Sequence, residues 1–162
     1  MSEKVIICID DSLGSKAMLA DIGQRSWSRE TEFTLLHVIP DLPVELKSLP
    51  ATTLLTEIDS AQRKSSHHLL NNACNLLQEH LIDKHVVHKK ILTGKPADCI
   101  VELACDINAQ MLVLGSRLTD VSKPFAGTVA ESVLRRSPCS VEIFRPKQQA
   151  KQKPGSGTRL PR

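Results

Sequence analysis

Five apolar runs rich in β-branched residues, separated by longer stretches of helical pattern, constrain this chain more than any other feature. Lys4-Val5-Ile6-Ile7-Cys8-Ile9 and Phe33-Thr34-Leu35-Leu36-His37-Val38-Ile39 are nearly continuous, as expected of strands covered on both faces. His85 to Leu92 is less apolar and reads as an outer strand; Met111-Leu112-Val113-Leu114 and Val141-Glu142-Ile143-Phe144 complete the set. Strands alternating with helices through short links imply a parallel sheet with helices on both faces. In such open sheets a ligand sits beyond the carboxyl ends of the strands, where the strand order reverses.

The links carry the expected punctuation. Asp10-Asp11-Ser12 ends the first strand, and Ser12 or Ser15 can cap a helix whose apolar surface comes from Ala17, Met18, Ala20 and Ile22. Pro40 stops the second strand, and the prolines from Pro40 to Pro50 predict a loop able to fold over the strand ends. A long helix follows from near Thr52, with a stripe from Leu54 and Ile58 to Leu77 that is interrupted at Ser65. Adjacent His67 and His68 point to different sides of it, and His85 and His88 fall on opposite faces of a strand, so no metal site is expected. Thr93-Gly94-Lys95-Pro96 predicts a turn with Pro96 opening a helix that ends near Asn108.

The stretch from Met111 to Phe144 holds the candidate chemistry. Its fourth strand stops at Gly115, and a second glycine, Gly127, precedes Thr128, which with Glu131 has the spacing of a capping box. Amides at Gly127, Thr128 and Val129, backed by the helix dipole, suit an anion, and Arg117 can add a charge-assisted hydrogen bond. Spacing alone favours the plainer reading of ordinary turns at Gly115 and Gly127, a simple helix cap at Thr128 and a solvated Arg117. The helix from Val129 ends at Arg135-Arg136-Ser137-Pro138, where two arginines match the negative dipole end.

Charge and cysteine usage narrow the function class. Six of the 21 basic residues lie between Arg145 and Arg162, a segment without an acid, which leaves fifteen against 18 acidic residues in the rest. The basic excess therefore belongs to the tail, and the body has neither a nucleic-acid footprint nor, with Trp27, Phe33, Phe125 and Phe144 its sole aromatics, a stacking platform. Five cysteines, odd in number and without a C-x-x-C, predict buried thiols in a reducing, cytoplasmic compartment. The apolar run Val5 to Ile9 is too short for a signal peptide or a membrane span. The expected organisation is an α/β domain over residues 1–146 followed by a basic, disordered tail over 147–162.

In order, these fragments resemble the universal stress protein family from Lys4 to Phe144. The resemblance is carried by Ile9-Asp10-Asp11-Ser12, Leu35-Leu36-His37-Val38, Gly94-Lys95-Pro96, Leu112-Val113-Leu114-Gly115-Ser116-Arg117, Gly127-Thr128-Val129 and Leu134 to Val141. It implies a five-stranded parallel open sheet of order 3-2-1-4-5, a homodimer joined through the last strand (Val141 to Phe144), and a stress-related regulatory role with an unknown protein partner. It further implies ATP or another adenine nucleotide, with Mg²⁺, across the strand ends. Ile9, Asp10 and Val38 would flank the adenine or ribose, Leu114, Gly115 and Arg117 would border the ribose and phosphates, and Gly127, Thr128 and Val129 would hold phosphates.

The sequence departs from the family's G-x2-G-x9-G-(S/T) motif at two points. Leu118 stands at the second glycine, and eight residues rather than nine separate it from Gly127. Asp11 also replaces a glycine that often follows the first-strand aspartate. An alternative reading is therefore a dimeric interaction module of the same family with an empty cleft. No catalytic constellation or P-loop can be assembled, so the expectation is a non-enzyme with at most slow ATP hydrolysis. A phosphoacceptor receiver domain is rejected, because Leu92-Thr93-Gly94 supplies no acceptor aspartate.

Overall fold

The computed structural model describes residues 2–43, 45, 53–115 and 129–145. Within them the chain runs β1 (Lys4–Cys8), α1 (Leu13–Gly23), β2 (Glu32–Pro40), α2 (Thr53–His80), β3 (Val86–Gly94), α3 (Pro96–Asp106), β4 (Met111–Gly115), α4 (Val129–Arg136) and β5 (Ser140–Phe144). The five strands form one sheet in the order β3-β2-β1-β4-β5, every pair parallel, as the sequence predicts.

Strand alternation sends side chains to two cores. Val5, Ile7, Phe33 and Leu35 pack under α1 and α2, against Met18, Ile22, Leu70 and Leu77. Ile6, Leu36, Leu112 and Leu114 pack on the opposite face, against Ile100 and Leu103 of α3 and Val133 of α4. Most of these side chains are fully buried, and each contributes roughly 1.5–3 kcal/mol by leaving water. That double burial is why β1, β2 and β4 read as unbroken apolar runs.

Several local expectations need correction. In α1 the buried apolar residues are Met18, Leu19 and Ile22, whereas Ala17 is exposed. α2 is continuous through Ser65, and its neighbour Ser66 is buried with its hydroxyl donating to the Gln62 carbonyl at 2.8 Å. The first half of its apolar stripe is not core among the described residues: Leu54 is 62 % exposed and Ala61 is exposed as well. The cause is length, since a 28-residue helix spans about 42 Å and outruns the sheet it packs on. Of the five cysteines Cys74 is buried, Cys8, Cys99 and Cys139 are half-buried, and Cys105 is exposed. Thr93 and Gly94 belong to β3 rather than to a turn, and the chain reverses at Gly94, whose φ of 147° is open to glycine alone.

Other expectations hold. Ser12 caps α1, accepting from the Ser15 amide, and Pro96 opens α3. Asn108, at φ 52°, turns the chain out of α3 in the left-handed region that asparagine tolerates. Arg136 in the last turn of α4 reaches Asp98 of α3 at 2.7 Å. Arg25, just past α1, makes a two-pronged ion pair with Glu142 of β5 at 2.6 and 2.8 Å and also meets Asp21. The hydrogen bonds to Glu142, and then those to Asp21, hold the Arg25 guanidinium above its usual pKa against the opposing effect of partial burial. No helix among the described residues is long and apolar enough to cross a membrane. The predicted loop over Pro40 to Pro50 falls largely outside the described residues, and the 147–162 tail falls wholly outside them.

Candidate functional site

The strand order reverses between β1 and β4, so the crevice at their carboxyl ends is where this topology leaves room for a ligand. Cys8 pairs with Leu114 across these two strands. One residue further on, the buried Ile9 donates its amide to the Leu36 carbonyl at 2.8 Å and keeps β1 beside β2. Asp10 then closes a knot. Its Oδ1 accepts from the Ser12 amide at 3.1 Å, from the Ser12 hydroxyl, and from the Ser15 hydroxyl at 2.7 Å. The Asp10 amide in turn donates to Ser15 Oγ at 3.2 Å. An aspartate bonded to the backbone two residues on is a local turn device, and here it presents the start of α1 to the crevice.

Val38 lies near the end of β2, paired with Leu92, and its neighbour His37 reaches back across the strands. His37 Nδ1 lies 2.8 Å from the Ile9 carbonyl oxygen. A carbonyl only accepts, so Nδ1 carries the hydrogen of this contact. This contact binds the segment Ile9-Asp10 to the end of β2.

On the β4 side Leu114 is buried and Gly115 ends the strand opposite Phe144. A Cβ built on Gly115 would meet no heavy atom within 4 Å among the described residues. Among the described residues nothing therefore crowds this glycine, which suits close approach of a group to its backbone. Val129 opens α4, and because β4 and β5 are parallel the connecting helix must return, which brings its N-terminus to this same end of the sheet. Arg117, Gly127 and Thr128, with Leu118 and Pro124, lie outside the described residues.

Between α1 and α2 a cleft of about 150 Å³ opens beside this crevice, lined by Ile9, Asp10 and Ser12 on one side and by Leu69, Asn72 and Leu76 of α2 on the other. A larger groove of about 440 Å³ lies at the opposite, amino end of the strands. The smaller space is the one beside the carboxyl end of β1, on the side of α1 and α2. Asn72 and Leu76 were not readable as neighbours of Asp10, and neither was the His37 contact, although a histidine inside an apolar strand beside Val38 was its visible signal.

Burial pushes the Cys8 thiol up to about 12, and partial burial followed by Glu102 and Asp98 raises that of Cys99, so neither is an activated nucleophile. No group of three or more potential metal-ligating side chains occurs among the described residues.

A family model described as the universal stress protein family matches residues 1–145. Among solved structures, the hypothetical protein MJ0577 superposes with a TM-score of 0.73 at 21% identity, over 90% of this chain and 97% of that one. A universal stress protein from Arabidopsis thaliana with AMP bound gives 0.62 at 19% identity, over 90% and 93% of the two chains. One from Archaeoglobus fulgidus in complex with dAMP gives 0.61 at 17% identity, over 88% and 98%. At these identities the structural likeness is one of fold.

Proposed function

The chain belongs to the universal stress protein family, and on that premise we propose that it is a regulatory protein that binds an adenine nucleotide at the carboxyl ends of β1 and β4. ATP is the ligand of this reading, with Ile9, Asp10 and Val38 about the base and ribose and Leu114 and Gly115 beside the ribose and α-phosphate. Arg117, Gly127, Thr128 and Val129 hold the remaining phosphates, and Mg²⁺ supplies charge neutralisation there. The observation that carries the reading is that no described atom stands within 4 Å of a Cβ placed on Gly115, at the point where the strand order reverses. A backbone without a Cβ suits close approach by a phosphate. The AMP and dAMP held by two proteins of this fold support adenine as the base.

Occupancy of such a site biases the conformation of whatever segment covers it, which is how a binding protein signals without catalysis. We place the readout on a homodimer joined through β5, the sheet edge carrying Val141, Ile143 and Phe144, and in the cytoplasm, where the unpaired thiols stay reduced. A second reading, an interaction module with an empty cleft, is favoured by the bulk of Leu118 and by a described cleft of about 150 Å³, below the roughly 300–1,000 Å³ of ordinary ligand pockets. Mass spectrometry of small molecules released on denaturing freshly purified protein separates the two. An adenine nucleotide near one per chain supports the first reading. Its absence, together with no thermal shift on adding ATP and Mg²⁺, supports the second.

A further inference from the structure

The two edges of the sheet differ in chemistry. At β5 the edge residues are mainly apolar, whereas β3 is a nine-residue strand with only β2 paired to it among the described residues. From Lys84 to Ala97 the sequence contains Lys84, Lys89, Lys90, Lys95, His85 and His88 and no acid. The lower half of β3 is exposed: Val86 is 54 % exposed and His88, Lys89 and Lys90 are exposed too, while Leu92 packs into the second core. Lys89 Nζ donates to Asn71 Oδ1 on α2 at 2.7 Å, which fixes one ammonium beside the strand.

The 440 Å³ groove at the amino end of the sheet continues this surface, with Arg29, Lys84, His85 and Val86 in its lining. The His85 ring is held in place, Nδ1 against the Thr31 carbonyl at 3.1 Å and edge-on to Phe33. Glu30 and Glu32 also line the groove, and Glu32 is engaged by His88 at 3.5 Å. Arg29 and Lys84 share the groove with these two carboxylates, so the basic excess of this surface lies on the strand, at Lys89 and Lys90.

A free strand edge is a row of unsatisfied amides and carbonyls, and an added extended strand satisfies them. The charge of β3 decides what that strand can be. A second copy laid antiparallel would bring the two Lys89-Lys90 pairs together, and like charges opposed across strands destabilise the pair. Lysines on an edge also serve to prevent self-pairing, but that protection does not require an exposed valine, Val86, in a groove at the strand's foot. We propose that the outer edge of β3 and this groove form a docking site for an extended acidic segment of a partner protein, in which carboxylates alternate with apolar side chains.

The test uses the full chain and a fluorescein-labelled peptide of alternating glutamate and valine, followed by anisotropy and by hydrogen exchange at the amides of residues 86–94. Saturable binding with slowed exchange along β3 is expected, as is affinity weakened at least about tenfold in the Lys89→Glu/Lys90→Glu variant. Both lysines are exposed, so the variant should keep the wild-type thermal midpoint. The tail variant Lys147→Glu/Lys151→Glu should bind as the parent does. No binding, binding that leaves the β3 amides unprotected, or equal affinity in the Lys89/Lys90 variant would overturn the proposal. So would a single-stranded oligonucleotide that displaces the peptide, which would make the surface a nucleic-acid site. A dimer dispersed by Lys90→Glu in sedimentation would equally overturn it, as a contact between copies.

Discussion

His37 Nδ1 and the carbonyl oxygen of Ile9 lie 2.8 Å apart, so a side chain from β2 secures the backbone of β1 one residue before Asp10. Asp10 is itself tied to Ser12 and Ser15 at the start of α1. Two strands and a helix are thereby joined at the rim of the crevice proposed to hold adenine and ribose. The arrangement gives that rim a fixed shape, which lowers what a ligand must spend on ordering it.

Replacing His37 with phenylalanine keeps the ring and removes the donor. The part-buried Ile9 carbonyl then loses its partner, at a cost of about 1–3 kcal/mol. Thermal unfolding should show the lowered stability, and ATP affinity should fall with it. Unchanged stability and affinity would mean that the contact positions nothing.

Gly23→Ala tests how closely α1 and α2 cross. A Cβ at Gly23 would stand 2.5 Å from the His80 Cβ, so one helix must move, and overpacking of this kind costs about 1–3 kcal/mol. Alanine's better helix propensity, worth about 1 kcal/mol, offsets only part of that. The unfolding midpoint should drop by a few degrees, on the order of 2–4 °C per kcal/mol for a chain of this size.

Arg25 and Glu142 should couple. Each is about one-third exposed, so the pair contributes on the order of 1 kcal/mol or less, more at low salt than at high. In denaturant unfolding, Arg25→Met and Glu142→Gln should each destabilise, and the double variant should lose less than the sum of the two. Strict additivity would mean that the ion pair does not help hold β5 to the body.

The Cys8 thiol gives a pH dependence with a definite sign. Its folded pKa of about 12 lies above the ordinary value of 9.0, so the folded state holds the proton more tightly than the unfolded chain. The stability tied to that proton is full below pH 9 and is lost as pH rises toward 12. Wild type should therefore weaken more steeply than Cys8→Ala across this window, and native Cys8 should resist alkylation at pH 8. The sequence contains no tyrosine to obscure the difference.

If β5 joins two copies, a charge at Val141 should separate them. Sedimentation of Val141→Glu should show monomers with unchanged circular dichroism, because a carboxylate cannot be left in an apolar seam. A dimer of undiminished strength would reject β5 as the interface.

The sheet was legible in the sequence because burial on both faces turns each inner strand into an unbroken apolar run. Asp10 and Gly115 could be assigned to strand ends for the same reason. The contacts around them were not legible. Asn72 and Leu76 line the cleft beside Asp10 from a distant helix, and Arg25 meets Glu142 across 117 positions, separations that no local pattern encodes. The first turns of α2 misled for the opposite reason: Leu54 and Ala61 continue a helical stripe beyond the point where the sheet can cover it. Leu19 was overlooked in α1 because Ala17 and Ala20 made an equally plausible stripe, and only packing under the sheet distinguishes them.

Titration calorimetry of ATP in Mg²⁺ into the 162-residue chain, beside its Gly115→Val variant, tests the central claim most directly. A Cβ at 115 meets no described atom, so the variant should keep its stability while its added side chain fills the space meant for the ligand. The expected result is one site per chain in the parent and an affinity at least about tenfold weaker, about 1.4 kcal/mol, in the variant. No heat in the parent, or equal binding by the two proteins, would contradict a nucleotide site at the end of β4.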